Sequence, residues 1–479
     1  MFFSEFILRM FAYGKILVDP HLRPLSLHGR GVSRRDGVKV QQPLFTRTRL
    51  KADILFTICS VMFFTNLGIS QEIFSDRIKG LRVTGETQAG VPVVVVNAKS
   101  ILIEFDTNDD HPADVRVKFY HCDRNWKKTA TSFINDDIRN MTRTPIPYVQ
   151  SPAGTQHYRW HYSIRLPGHQ DVREFAYSGN YIFEIWDENA ANMLARGKFF
   201  VVEDVITPSL RVTNRQATTA VHPLYMVNKV DLQFVIPEIV RRTAGTQETQ
   251  FNSNGDMQEA LLPFYFTTVD VYKNRELARA YRIDSNERTA STFVGGFGTR
   301  RVRFSIDNIL PGNEYRRLDL RDINHYPPGR LLRHREGADV SRMLFRSPRD
   351  NNGFSTLVTG DRYADYVQVQ FEYLDDSKSE ENTVYVVGDF NGWQTGSGSL
   401  MNYDTSLKRF LLTTWMRRGS YDYQYVLKND WTALEGNDWR TVNVYSAFVY
   451  YRDERYGGFD RILGVVQGRS SGQNSATDF

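Results

Sequence analysis

Apolar and polar residues alternate along most of the chain from about residue 73 onward. The alternation is clear in residues 115–119, 367–371 and 421–425, and a period of two is typical of strands that bury one face. Such segments recur at short intervals, with Pro, Gly, Asn and Asp between them, which predicts antiparallel sandwiches. Only residues 131–140 suggest a short helix. The predicted fold class is therefore all-β, with tandem immunoglobulin-like antiparallel β-sandwich domains.

Breaks in this pattern predict the domain organisation. Pro208 follows a predicted strand that ends near residue 203, and proline cannot donate to a continuing central ladder. Residues 347–353 form a second turn-rich junction. We therefore predict a lead and signal segment at 1–70, an N-terminal sandwich at 71–204, a middle sandwich at 205–350, a C-terminal sandwich at 351–467 and a polar, disordered tail at 468–479.

The densest structural pattern lies at residues 384–393, Val-Tyr-Val-Val-Gly-Asp-Phe-Asn-Gly-Trp. A β-branched and aromatic strand ends at a glycine, and the Asn-Gly pair suits a tight turn. Trp393 can then fill the end of a sandwich or stack on a sugar. Together with Lys428, Trp431 and Asn443, this stretch resembles the sugar-contacting set of glycogen-binding domains. The last sandwich is accordingly expected to be of the glycogen-binding type, with its tryptophan either in the core or on a glycan.

Residues 47–70 have the organisation of a secretory signal peptide. Three basic residues are followed by the apolar run 54–64 and by Gly68, Ile69 and Ser70. Small residues at the last and third-from-last positions predict cleavage between Ser70 and Gln71. The apolar run is short for a membrane span, and an uncleaved anchor or a buried strand is the alternative. Residues 1–46 precede this signal unusually, so we expect a spurious or unstructured lead and a translation start downstream of Met1.

Charge and cysteine content exclude some classes of function. The net charge is +5, from 60 Lys and Arg against 55 Asp and Glu. Residues 1–70 hold ten of the former and four of the latter, so the remainder is almost neutral and shows no sign of nucleic-acid binding. The two cysteines are Cys59 and Cys122, and the first lies in the predicted signal segment. The exported chain would then hold a single thiol and no internal disulfide.

The sequence offers no pattern typical of an active site. His121, Cys122 and Asp123 are consecutive, but neighbours in a strand point to opposite faces and cannot converge as a catalytic set. We therefore interpret Cys122 as a small buried residue. Metal-binding cysteine pairs, phosphate-binding glycine loops and nucleophile elbows are also missing from the sequence. We expect a protein without catalytic residues, metal, cofactor or small-molecule substrate.

Arginines are frequent in the predicted middle domain, and Arg300, Arg301 and Arg303 form its tightest cluster. They can be solvated side chains of a strand and loop. Arginine also pairs bidentately with carboxylates, so the cluster can be a docking face for an acidic partner surface.

Several stretches, read in order, resemble the type IX secretion system plug protein family of Bacteroidota. They are His121-Cys122-Asp123-x-x-Trp126, Ser178-Gly179-Asn180-Tyr181, residues 384–393, Gly419-x-Tyr421-x-Tyr423-x-Tyr425, and Val449-Tyr-Tyr-Arg452 followed by Tyr456-x-x-x-Asp460-Arg461. Each stretch is weak alone, but the set spans nearly all of the chain after the signal segment.

This resemblance implies tandem β-sandwiches and a place in the periplasm, on the inner side of the outer membrane. Members of the family cap the periplasmic mouth of a very large outer-membrane β-barrel translocon and carry no catalytic residues to transfer to this chain. The resemblance thus implies a barrel partner and a peripheral position on the membrane. A glycan-binding β-sandwich protein of the cell envelope is the alternative function.

Overall fold

The computed structural model describes residues 70–86, 90–217, 226–241, 258–342, 350–375 and 382–470. These residues form 27 strands, one α-helix, α1 (Ser132–Asn135), and four short 3-10 helices at Ile138–Asn140, Pro263–Tyr265, Asp389–Asn391 and Arg455–Gly457. The predicted all-β class and the short helical segment within 131–140 are confirmed. In the described part of the chain, every helix is too short and too polar to cross a membrane. The predicted signal segment lies outside the described residues, apart from Ser70.

The first sandwich packs two sheets over one apolar cluster. One sheet has the order β1 (Gln71–Ile73), β9 (Met193–Val202), β8 (Gly179–Trp186), β5 (Arg116–Cys122), with β3 (Val93–Val95) parallel to β9. The other has the order β2 (Lys79–Gly85), β4 (Ile101–Thr107), β7 (Trp160–Leu166), β6 (Tyr148–Gln150). Their inward side chains alternate with exposed ones, so Val83, Phe105, Phe119 and Phe183 meet in a common core.

The second sandwich contains strands that are distant in sequence. One sheet has the order β10 (Ser209–Gln216), β11 (Met226–Val235), β17 (Arg301–Ile309), β16 (Thr292–Gly295). The opposite sheet has the order β15 (Ala280–Asp284), β14 (Thr268–Lys273), β26 (Val444–Asp453), β27 (Phe459–Arg469). A separate pair, β12 (Ile239–Arg241) and β13 (Gln258–Ala260), lies beside them. Residues of both sheets share one core, which includes Leu232, Phe304, Val271 and Val449.

The third sandwich is built by the chain between β17 and β26. One sheet has the order β18 (Arg316–Asp319), β25 (Gly419–Leu427), β20 (Ser355–Leu357), with β22 (Val384–Gly388) also on β25. The other has the order β19 (Leu331–Arg333), β21 (Tyr366–Tyr373), β24 (Arg409–Arg417), β23 (Asn402–Asp404). Tyr421, Tyr423 and Tyr425 all pack into its aromatic core.

Four strands pair across the domain boundaries that the sequence predicts. β18 and β19 precede residue 350 but join the third sandwich, whereas β26 and β27 follow residue 351 but join the second. The third sandwich is therefore inserted into the second. Apolar alternation marks each strand but not its partner, so the pattern could not show this. β27 also includes Gly468 and Arg469, which the sequence assigned to the tail, while residues 471–479 lie outside the described residues.

Candidate docking surface

The motif around His121 is buried at the end of β5 and forms no catalytic set. The imidazole donates from Nε2 to the carbonyl oxygen of Ser178 (2.9 Å), so Nδ1 accepts from the Thr129 hydroxyl (2.7 Å). Burial lowers the pKa of His121 to about 4 and raises that of Cys122 to about 12, which keeps both side chains neutral at pH 7. Asp123 instead accepts from two backbone amides of its own turn. The interpretation of Cys122 as a buried residue is confirmed.

The same motif joins the first sandwich to the second. The Arg124 amide donates to the Asp460 carboxylate (2.9 Å), and the Tyr450 hydroxyl donates to the Asn180 side chain (2.8 Å). The Ser178 hydroxyl accepts from the Ile462 amide (3.1 Å). Residues 121–126, 178–181 and 449–461 are thus in contact, although up to 340 positions separate them. We define these contacts as the first joint.

Arg461 lies at the centre of the first joint, and its side chain is 1% exposed. It donates two hydrogen bonds to Glu203 (2.9 and 2.6 Å) and two to Glu259 (2.9 and 3.0 Å). A fifth bond reaches Asp453 (3.1 Å). An arginine can satisfy three carboxylates in this way because its guanidinium has five N–H donors. Glu203 ends the first sandwich and Arg461 is part of β27, so this ion-pair network connects the two.

A second joint connects the first and third sandwiches through Asp106. This buried carboxylate accepts from Arg417 (3.0 Å), from the Tyr366 hydroxyl (2.8 Å) and from His161 Nδ1 (2.7 Å). Burial lowers the pKa of His161, but hydrogen bonds to Asp106 and Glu104 outweigh burial and raise it to about 9. His161 is therefore a cation at neutral pH and contributes charge to this joint.

The residues predicted to contact a glycan are not brought together at the surface. Trp393 is 1% exposed, and its ring centroid lies 4.3 Å from that of Tyr315 in the core. Asn443 is also buried, and its side chain bonds to Asn274 and to the Pro311 carbonyl. Both assignments as sugar contacts are corrected by this burial, because neither side chain offers a face to a ligand. The volume around the turn is filled by the tryptophan ring itself.

The two remaining residues of that set have separate environments. Lys428 is exposed on the turn after β25. Trp431 is half-buried, and the Arg279 guanidinium lies 4.6 Å from its ring centroid, which occupies part of the face that a sugar would need. These two residues alone do not form a platform.

The predicted docking arginines lie on the hairpin of β16 and β17. Arg303 pairs with Asp231 (2.7 Å), and Arg300 lies 3.5 Å from the exposed Glu238. Arg301 is exposed and has no ion-pair partner among the described residues. Arg301 and Arg303 both point outward, since the intervening Val302 enters the core.

Exposed apolar side chains surround these arginines, and the sequence analysis did not find them. Val235 is opposite Arg301 in the register, on the same outer face. Phe293 is 57% exposed on β16, and Phe264 is 65% exposed on the 3-10 turn at the end of the sandwich. Phe297 extends from the hairpin turn with its ring centroid 5.9 Å from that of Phe264. The signal in the sequence was the run Phe-Val-Gly-Gly-Phe-Gly at residues 293–298, which indicates an apolar turn but not its exposure.

We name these seven residues the Phe-Arg surface: Val235, Phe264, Phe293, Phe297, Arg300, Arg301 and Arg303. Exposed phenylalanines that adjoin one another are uncommon on isolated soluble proteins, and such patches with flanking polar residues typically mark interaction sites. Arginine and aromatic residues are also the types that interfaces favour. The arrangement is able to bind another surface and contains no group positioned for bond breaking.

The predicted cleavage position lies at the third sandwich. The Ser70 hydroxyl donates to the Gly392 carbonyl, and the Gln394 side chain donates to Ser70 (3.1 Å). Gln71 begins β1. Cleavage between these two residues stays a prediction.

The fold defines a protein of several β-sandwiches. The family model of the "Type 9 secretion system plug protein 1st domain" matches residues 78–203, which lie in the first sandwich. The suspected family is thereby confirmed over the first sandwich. This relationship indicates a component of type IX secretion in the cell envelope.

Among solved structures, a hypothetical protein from Parabacteroides merdae is similar to this chain. It is 20% identical, with a TM-score of 0.61, over 84% of this chain and 99% of the other, which supports the fold. PorU from Porphyromonas gingivalis is 12% identical over 82% of this chain and 34% of its own, with a TM-score of 0.11 that is too low for any inference. No curated protein matches the chain.

Proposed function

We propose that this protein is a non-enzymatic periplasmic component of the type IX secretion system that caps the periplasmic opening of the outer-membrane translocon barrel. The observation that carries the proposal is the match of residues 78–203 to the plug-protein first domain. The predicted signal peptide supports export to that compartment, where the mature chain would begin at Gln71.

The joints support the proposal mechanically. A cap has to keep its shape while it blocks an opening, and sandwiches on flexible linkers would not do so. Here the first sandwich is connected to the second through Arg461 and to the third through Asp106, both within buried ion-pair networks. The family motifs in these regions thus act by holding the sandwiches in contact rather than by chemistry.

We propose further that the Phe-Arg surface provides part of the contact with the barrel. Specific docking needs an interface on the order of 1,000 Å² or more, yet a cap has to be released during transport. Arginines beside exposed phenylalanines suit such a contact, because polar pairs add specificity while the apolar area stays limited. The cluster of Arg300, Arg301 and Arg303 predicted from the sequence would then meet carboxylates on the barrel.

Affinity purification of a tagged copy from gently solubilised envelopes tests the proposal. We expect a very large outer-membrane barrel protein to be recovered with it, and recovery of the cap alone would count against capping. The double variant Arg300→Glu and Arg301→Glu should reduce this recovery severalfold. Arg303 is left unchanged because a glutamate there would face Asp231 and destabilise the sheet.

Arg330→Glu is the control for each of these two reversals, since this exposed arginine lies on the third sandwich and undergoes the same charge change as either residue alone. Equal recovery for the wild type, the double variant and the control would exclude the Phe-Arg surface from the barrel contact without excluding capping itself. A functional assay complements this test, because removal of a cap should admit a large hydrophilic dye to the periplasm.

Glycan binding by the third sandwich has less support. It would require Trp393 and Asn443 to reach a sugar, and both are buried. Retention on amylose or peptidoglycan columns distinguishes the two functions.

A further inference from the structure

We infer that the Phe-Arg surface binds a bilayer of anionic phospholipid directly, with its phenylalanines in the headgroup region and its arginines on lipid phosphates. The lipid contact uses the same residues as the barrel contact proposed above and excludes it, so the inference concerns the protein before it docks on the barrel. It rests on the proposed function only for the leaflet concerned, since a cap on a membrane-embedded barrel lies next to that leaflet. Lipid binding itself follows from the surface.

Two of the three phenylalanines stand on turns, while Phe293 and Val235 lie on strands. Phe297 belongs to the hairpin turn between β16 and β17, and Phe264 belongs to a 3-10 turn beside it. Leu262 is 52% exposed just before that turn, and Ile239 is exposed on β12. Projecting aromatic and aliphatic side chains can enter a fluid headgroup layer.

The backbone holds the two phenylalanine rings outward. Gly298 has a φ of +79°, and a Cβ at this position would lie 2.4 Å from Cε1 of Phe264. Only a glycine therefore lets the Phe264 ring lie against the hairpin turn, next to Phe297. The rings are positioned in the free protein, so membrane insertion would not have to order them first.

The charges favour an anionic surface. Arg303 pairs with Asp231, which also pairs with Lys229 (3.2 Å), and Arg300 pairs with Glu238. Arg301 is left without an ion pair among the described residues. The guanidinium group binds phosphate oxygens bidentately and can stay close to the interface while the adjacent apolar groups enter it. Arg301 is thus one unpaired cation, so the apolar contacts should dominate the affinity and the charge should set the lipid preference.

Sedimentation of the purified protein with vesicles tests this inference. Vesicles of phosphatidylcholine with about one third phosphatidylglycerol should bind the wild type more strongly than vesicles of phosphatidylcholine alone, by about fivefold for one unpaired cation. The double variant Phe264→Ser and Phe297→Ser should reduce the partition coefficient about tenfold or more on both vesicles. Arg300→Gln with Arg301→Gln should lower it only on the anionic vesicles.

Matched controls test whether vesicle binding depends on the Phe-Arg surface or on exposed residues of the same types elsewhere on the protein. Phe133 is 57% exposed on the first sandwich, so Phe133→Ser should leave sedimentation unchanged, as should Arg330→Gln. Inorganic phosphate at matched ionic strength should not displace the protein, because a soluble ion replaces none of the apolar contacts. Phe293→Ser gives a second reading if the double variant unfolds, since Phe293 lies on a separate strand of the same surface.

The inference is overturned if the wild type does not sediment with either vesicle, or if Phe133→Ser reduces sedimentation as much as the double variant does. Displacement by inorganic phosphate would also overturn it, as a free anion site would then explain the binding. The result is independent of the capping proposal: detergent-solubilised barrel can be recovered without lipid binding, and vesicles can bind the protein without a barrel.

Discussion

Replacement of Arg461 by methionine is the most direct perturbation of the first joint. Methionine keeps much of the length of the side chain but removes all five hydrogen bonds and the positive charge. Glu203, Glu259 and Asp453 would then face one another, with Arg455 as the remaining cation that the described residues provide. Their carboxylates are between 3% and 16% exposed, so water cannot replace the lost partner freely.

The expected loss of stability is about 3–5 kcal/mol, which is typical when one partner of a buried ion pair is removed and the other charges stay. The ion-pair network as a whole contributes less than this to the stability of the fold, because burying its charged groups has a desolvation cost. The large value refers to the carboxylates that lose Arg461 as a partner. Arg461→Lys should recover only part of it, since lysine cannot bond three carboxylates in the planar geometry of arginine.

The loss should depend on pH. Burial raises the pKa of Asp453, but hydrogen bonds from Arg455 and the charge of Arg461 outweigh it and leave this pKa below its ordinary value. A lowered pKa in the folded state stabilises the protein above the unfolded-state pKa of about 3.9 and stops doing so as the carboxylate is protonated. The difference between wild type and Arg461→Met should therefore be full at pH 7 and should shrink below about pH 4.

Urea unfolding followed by circular dichroism and tryptophan fluorescence measures the change. Arg321→Met is the control, because Arg321 pairs with Asp319 at the surface and is 54% exposed. Surface pairs of this kind contribute about 0–1 kcal/mol. If Arg461→Met costs no more than this control at pH 7, the network does not hold the joint and the reasoning is refuted.

Three further predictions concern other buried positions. Burial lowers the pKa of His121 to about 4, so protonation favours unfolding, and the free energy of unfolding should fall by up to about 3 kcal/mol between pH 6.5 and 4. Urea unfolding of His121→Gln should lack this pH dependence. An equal pH dependence in the variant would contradict the lowered pKa of His121. Gly179→Ala should cost roughly 1–3 kcal/mol in the same assay, because the φ is +148° and the added Cβ would lie 2.3 Å from His121 Nε2; an unchanged midpoint would be inconsistent with this contact. Trp393→Ala should lower the free energy of unfolding by about 3–5 kcal/mol and leave retention on an amylose column unchanged. If the wild type is retained more strongly than a variant that is still folded, Trp393 contacts the glycan after all.

Local sequence patterns predicted much of the fold. Alternation at 367–371 and 421–425 lies within β21 and β25. β22 ends at Gly388 as expected, and the turn residues 389–392 follow it. The resemblance to the plug family was readable because its motifs combine rare residue types. Burial of Cys122 followed from its place in an alternating strand. The cluster of Arg300, Arg301 and Arg303 was also visible, although its phenylalanine neighbours were not.

The remaining features depend on contacts between distant residues. In the sequence, Trp393 could equally pack in the core or stack on a sugar. The structure places its ring centroid 4.3 Å from that of Tyr315, in the core. Sequence spacing could not show that His121 and Arg461 have structural roles and not catalytic ones, because more than 330 residues lie between them. Phe264 and Phe297 come from different turns that meet only when β16 and β17 join their sheet.

The sequence by itself determined the secondary structure, the class of fold and the residue types available for docking, since all of these depend on neighbours within a few positions. Tertiary structure alone decided that the third sandwich is inserted into the second, that the family motifs form joints, and that phenylalanines surround the arginines. The physical reason is that a period-two pattern specifies which face of a strand is buried but not which strand covers it. Pairing, burial and the convergence of charges are properties of the packed chain as a whole.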